Sequence, residues 1–284
     1  MATDRPLMGG RTLGAAALMA VAISLLYRSV LPSWLADLWS DENYSHGLIV
    51  PFVSLWLAYE RRHELARHVP QPAWLGLAIV LAAIVLLLLG RLAAELFVMR
   101  VSLLVLLTGL VLYVFGYHYL RVLGLPLAFL LFMVPLPTLV LNAMTLPLQF
   151  VASEVAVTLL HALHFPALRE GNVIVLPNAA LEVVEACSGL RSLISLAAMS
   201  VIVALLMLRS LPLRLLLILS SVPIAVLTNG ARISVTGILA YYYGAAVAEG
   251  FFHGFSGWIV FLTALALLSA SAAALHPFDR AGRA

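Results

Sequence analysis

Trp74-Leu-Gly-Leu-Ala-Ile-Val-Leu-Ala-Ala-Ile-Val-Leu-Leu-Leu-Leu-Gly90 carries no charged side chain and no polar face at any period. A helix that is apolar all round sits either in the core of a large protein or in lipid. The rest of the chain decides between the two. Of its 284 residues 63% are hydrophobic and only 10% charged, and the mean hydropathy is +1.08, whereas soluble domains are about 25% charged. So little charge cannot cover a water-facing surface of this size, which leaves lipid as the solvent.

Working outward from that stretch, about eight spans emerge: Leu13–Leu31, Leu48–Tyr59, Trp74–Gly90, Val101–Gly116, Val122–Val134, Cys187–Leu208, Leu213–Thr228 and Gly254–Leu275. Several fall short of the ~20 residues a straight span needs, and extend into their flanks or meet a thinned bilayer. The first is read as a span and not as a cleaved leader, because more apolar segments follow it and no clear cleavage site does. The sequence therefore describes an all-α polytopic membrane protein, a single integral membrane domain over 1–284 with its membrane core at 12–275. The 16 basic residues are all Arg, against 13 acidic ones, for a net charge of +3. This charge is too small and too dispersed for nucleic-acid binding.

Arginine placement orients the chain. With the N-terminus cytoplasmic, Arg5, Arg11, Arg61, Arg62, Arg67, Arg121, Arg209, Arg214, Arg280 and Arg283 lie inside; Arg28, Arg91, Arg100, Arg169, Arg191 and Arg232 do not. The first outer loop, Pro32 to Ser45, holds Asp37, Asp41 and Glu42 and no Arg. Both patterns favour cytoplasmic N- and C-termini. Residues 135–186 form an extracytoplasmic insert. Thr138 to His164 is helix-like and mixes Asn142, Gln149, Ser153, Glu154, Thr158 and His161 with apolar residues. It reads as an interfacial amphipathic helix, with a further buried helix as the alternative. Gly171 to Glu185 holds two short β-type runs, Asn172-Val-Ile-Val-Leu and Leu181-Glu-Val-Val-Glu, split by Pro177-Asn178, a small β-hairpin.

Three polar stretches fall at one outer level. In Glu185-Ala-Cys187-Ser-Gly-Leu-Arg191-Ser, the single cysteine sits where the hairpin gives way to a helix. Unpaired N–H groups and a partial positive charge at a helix start favour a thiolate and can donate to an oxyanion. The bland alternative is a small buried apolar residue, and Glu185, Ser188 and Arg191 are unusual company for one. In Thr228-Asn229-Gly-Ala-Arg232-Ile, Asn229 and Arg232 share a helix face. An arginine in apolar surroundings has a partner, a task, or a snorkelling path to the interface. In Phe252-His253-Gly254-Phe-Ser-Gly-Trp, His253 starts a helix beside glycine, either as an acid/base group or as a hydrogen-bonded interfacial histidine. His46, in Tyr44-Ser45-His46-Gly47, is its rival. His161 and His164 stand three apart, but no third ligand has metal-site spacing, so no metal and no cofactor are expected.

Taken in order, Glu185-Ala-Cys187-Ser-Gly-Leu-Arg191, Asn229-Gly-Ala-Arg232-Ile and His253-Gly254, with the early Tyr44-Ser45-His46-Gly47 and Pro51, resemble the exosortase/archaeosortase family, most of all its bacterial members. The resemblance runs from about Tyr44 to Leu275. It implies a multi-pass cysteine transpeptidase of the inner membrane with its site on the outer face. Cys187 would be the nucleophile, Arg232 the oxyanion stabiliser and His253 the acid/base. The implied partners are membrane lipid, an acceptor nucleophile, and exported proteins with a tripartite C-terminal signal (PEP-CTERM-like: short motif, membrane helix, basic cluster). The chain ends soon after its last span, so no fused soluble C-terminal domain is expected. Three rival readings remain: a membrane cysteine protease with water as acceptor, a transporter whose polar residues line a pathway, and a non-catalytic export component.

Overall fold

The computed structural model describes residues 10–41, 44–183, 189–244 and 251–281. The chain divides into two compact units, Met1–Pro135 and Leu136–Ala284. Among the described residues six helices are long and apolar enough to cross a membrane, seven if one bent pair counts as a span. An all-α polytopic fold with one small sheet is the result.

The first unit opens with α1 (Gly10–Leu26) and α2 (Val30–Ser40), bent by 74° at the break between them. Most of the expected outer loop is thus helix. The reason is spacing: Val30, Trp34 and Leu38 recur every four residues and are buried on one face of α2. The span expected at Leu48–Tyr59 is α3 (Val50–Glu60), an 11-residue helix too short to cross alone, followed by α4 (Arg62–Ala66). The antiparallel pair α5 (Leu75–Leu92) and α6 (Leu96–Phe115) is the most apolar part of the unit. The pair turns through Ala93-Ala94, and the Glu95 carboxylate accepts the Phe97 N–H.

After α6 comes α7 (Tyr117–Phe129), which contains Pro126 and ends in a 3₁₀ turn at Leu130–Met133. A proline inside a helix leaves the carbonyl four residues earlier without its N–H. Here that carbonyl is Val122, and it accepts from an Arg61 side-chain N–H at 2.7 Å. The hydroxyl of buried Ser54 donates to the Pro126 carbonyl at 2.8 Å. Tyr44-Ser45-His46-Gly47 folds as a 3₁₀ turn at Ser45–Leu48, with Gly47 packed against Leu38 and Met133. Arg100, only 3% exposed, pairs with Asp37 and lies 5.9 Å from the centre of the Trp34 ring.

The second unit opens with α8 (Thr138–Ala162). This helix has the length and hydropathy of a span, so it follows the further-buried-helix reading more closely than the interfacial one. A sheet follows, with β1 (Leu168–Glu170), β2 (Val173–Leu176) and β3 (Ala179–Glu182) in antiparallel order. β2 and β3 are the expected hairpin, turning at Pro177-Asn178. β1 is an additional strand, its three residues all exposed.

Then come α9 (Leu190–Met207), α10 (Leu211–Tyr243) and α11 (Phe251–Ala281). These three pack on each other around Leu196, Leu217, Ala225, Ala264 and Leu268. One end of this bundle is pinned by Asp279: its carboxylate accepts the N–H groups of Arg209 and Ser210, each at 2.8 Å, in the α9–α10 turn. The remaining helix, α8, runs parallel to α10. Val155 packs against Gly230, Ser234 donates to the Ala156 carbonyl at 3.1 Å, and Leu160 faces Gly237. The sheet closes over this pair, and Ile174, Leu176 and Val183 share a core with Ala156, Leu160 and Ile233.

Arg100 is buried while the Asp37 side chain is partly exposed, so removing the carboxylate strands a buried guanidinium. Asp37→Ala is expected to destabilise the protein by about 2 kcal/mol, read as a lowered unfolding midpoint in detergent. The double change Asp37→Leu with Arg100→Met is expected to recover most of that loss; a double variant as unstable as the single one would refute the assignment.

Candidate functional site

Helix α10 is the element on which the site is built. It runs unbroken for 33 residues, so Thr228, Asn229 and Arg232 lie within it and not at its end. From the pinned turn at Ser210 to Arg232 the helix rises about 33 Å. Arg232 therefore stands at the bundle end opposite Asp279.

Two contacts define that end. Gly189 precedes α9 with φ +82°, and its carbonyl accepts the Leu193 N–H at 2.8 Å. Its α-carbon lies so close to Asn229 that an added Cβ would sit 2.9 Å from the Asn229 amide carbon. Asn229 is 1% exposed. Three residues on, Arg232 is half-buried and its Nε–H donates to the Ser256 hydroxyl at 3.0 Å. One turn of α10 thus touches the segment leading into α9 on one side and α11 on the other. Trp258, 71% exposed, lies two residues beyond Ser256; tryptophan concentrates at lipid–water boundaries.

Of the sequence-expected set, Arg232 lies among the described residues. His253 lies in the first turn of α11, three residues before Ser256, and its side chain is outside the description. Cys187, with Glu185 and Ser188, lies outside the described residues; it is two positions before Gly189. Arg191 is exposed in the first turn of α9. His46, the rival histidine, belongs to the first unit, where its ring and that of Tyr44 are 6.5 Å apart. Ser256 was not singled out from the sequence. Its signal was the i, i+3 spacing from His253, which puts both on one face of α11.

Long apolar helices in both units, with arginine, asparagine and serine gathered at one end of a bundle, define a multi-pass membrane protein. Residues 38–270 match the family described as transmembrane exosortase, and the chain belongs to that family. No curated protein and no solved structure matched it.

The left-handed backbone at Gly189 and its contact with Asn229 both exclude a side chain there. Gly189→Ala is expected to lower stability by about 1–2 kcal/mol. Gly124→Ala, where nothing lies within 4 Å in α7, is expected to be neutral or slightly stabilising. Equal unfolding midpoints for the two variants would contradict this reading.

Proposed function

We propose that this exosortase is a cysteine transpeptidase acting at the extracytoplasmic boundary of the inner membrane, with Cys187 as nucleophile, Arg232 as oxyanion stabiliser and His253 as acid/base. The observation that carries the proposal is the double contact of one α10 turn. Asn229 abuts Gly189, two residues after Cys187, and Arg232 holds Ser256, three residues after His253. Each of the three polar stretches thus has a residue at this turn or in contact with it, Gly189, Asn229 with Arg232, and Ser256, which supports the reading. The arginine distribution supports cytoplasmic termini and an outward-facing site.

The substrate is an exported protein held by its own C-terminal membrane helix, with a PEP-CTERM-like signal of short motif, helix and basic tail. Tethering makes the encounter two-dimensional and raises the effective concentration. The Cys187 thiolate attacks the scissile carbonyl carbon, forming the C–S bond and an oxyanion opposite the guanidinium. Collapse breaks the C–N bond, and the departing amine takes its proton from the His253 imidazolium. A thioester remains. An amine or hydroxyl acceptor then gives a proton to the neutral imidazole as it attacks, and the thiolate leaves.

In proteoliposomes holding a co-encoded exported protein with the tripartite tail, Cys187→Ala is expected to abolish processing; a variant maturing substrate at the wild-type rate would sink the mechanism. Mass spectrometry of the new C-terminus separates the outcomes: an added group marks transfer, a free carboxylate marks hydrolysis. Arg232→Lys keeps the charge but loses the planar fork, and is expected to lower kcat about 100-fold, the scale of a lost oxyanion donor.

A further inference from the structure

We propose that the open edge of β3 is a docking strand that takes the extended segment of an exported protein just outside that protein's own membrane helix; this rests on the transpeptidase reading above. The register fixes which backbone groups are offered. Ile174 lies opposite Leu181 and Leu176 opposite Ala179, and the Val183 N–H donates to the Asn172 carbonyl at 2.9 Å. Bonded and non-bonded pairs alternate along an antiparallel ladder. Val183, Leu181 and Ala179 therefore face β2, and the N–H and C=O groups of Ala180 and Glu182 point the other way. Both residues are exposed, and among the described residues no hydrogen bond reaches their outward backbone groups.

The edge has a direction as well as a face. At its start, the Asn178 side-chain amide donates to the Tyr241 carbonyl at 2.6 Å, near the end of α10. A Leu181 methyl lies 3.6 Å from where a Cβ on Gly237 would be. Two residues on, β3 has advanced about 6.6 Å, and Val183 shares a core with Ile233, the neighbour of Arg232. The strand thus runs down α10 toward the turn that carries Arg232. The other edge, β1, offers outward groups only at Arg169, whose side chain pairs with Glu154 at 2.9 Å.

A bare strand edge is unsustainable in hydrocarbon, where every backbone group must be bonded, and in water it invites another strand. Strand addition bonds the ligand through its main chain and reads alternate side chains. The occupant must be extended and must arrive at the level of Arg232. A segment emerging from its own membrane helix beside this one meets both demands.

The test uses synthetic peptides carrying the motif, apolar helix and Arg-rich tail of a co-encoded exported protein, N-methylated at one backbone nitrogen at a time through the motif. Binding is measured to full-length Cys187→Ala protein in nanodiscs, so docking is read without chemistry. The expected result is an alternation, about tenfold weaker binding at every second position and little change between. A flat profile, or loss at consecutive positions, overturns the proposal and leaves the transpeptidase reading standing. Conversely, alternating binding with no cleavage by the wild-type enzyme sinks that reading alone. Ala180→Pro removes an N–H pointing away from β2, a place where sheets tolerate proline. It is expected to raise KM about tenfold at unchanged kcat. An Ala180→Pro protein with wild-type KM, or one whose oligomeric mass shifts without peptide, would overturn the proposal; should the variant fail to fold, the N-methyl scan on the unaltered edge decides.

Discussion

The length of α10 against the thickness of a bilayer is the constraint from which the rest of the second unit follows. Thirty-three helical residues rise about 50 Å, while the hydrocarbon is about 30 Å thick. Tilt alone would have to exceed 50° to bury it all, beyond the range of about 0–40° seen for spans. Part of α10 therefore stands clear of the hydrocarbon, and the sequence says which part. Leu211 to Leu227 is almost wholly apolar, whereas Thr228, Asn229, Arg232, Ser234 and Thr236 crowd the remainder. The emergent part has its own apolar residues to bury, and α8 and the sheet bury them. The packing of α8 and the sheet on α10 thus follows from the length of that helix.

The same economy governs the polar groups elsewhere. In a low-dielectric surround an unbonded backbone or side-chain group costs several kcal/mol, and several polar groups near apolar helices have an identifiable partner. Arg61 answers the carbonyl that Pro126 releases. The Asp279 carboxylate answers two N–H groups of the α9–α10 turn. Arg100 is paired with Asp37 and lies over Trp34. None of these needs a catalytic explanation. The Asn229–Arg232 turn differs because its two side chains tie three separate chain segments to one point.

How much of this was legible in the sequence depends on what decided each element. The hairpin was legible because Pro177-Asn178 separates two β-branched runs, and the strands do meet there. β1 was not, since Leu168, Arg169 and Glu170 are all exposed and show no alternation to detect. The end of α10 was set too early, at Thr228, because hydropathy falls there; the helix continues because α8 supplies a packing partner, a long-range cause invisible to a local window. Asp37 was taken for a loop charge orienting the chain, while the structure uses it to neutralise Arg100. The three polar motifs were legible individually. The contact between Gly189 and Asn229 was not, because they are forty positions apart.

The anchoring of Arg232 explains why this position suits a guanidinium rather than an ammonium. An arginine has five N–H donors fixed in one plane, a lysine three on a single freely turning nitrogen. The Nε–H bond to Ser256 helps to fix the plane of the whole group, and the rigid fork carries that orientation to the terminal nitrogens. A lysine bonded to the same hydroxyl would place its only nitrogen there and move its charge with it. The boundary location proposed for the site sharpens the difference. Toward lipid the effective dielectric falls and a charge–oxyanion interaction strengthens, but only if the cation is already in place when negative charge develops. A guanidinium whose plane is already fixed meets that requirement of the proposed mechanism before any substrate arrives.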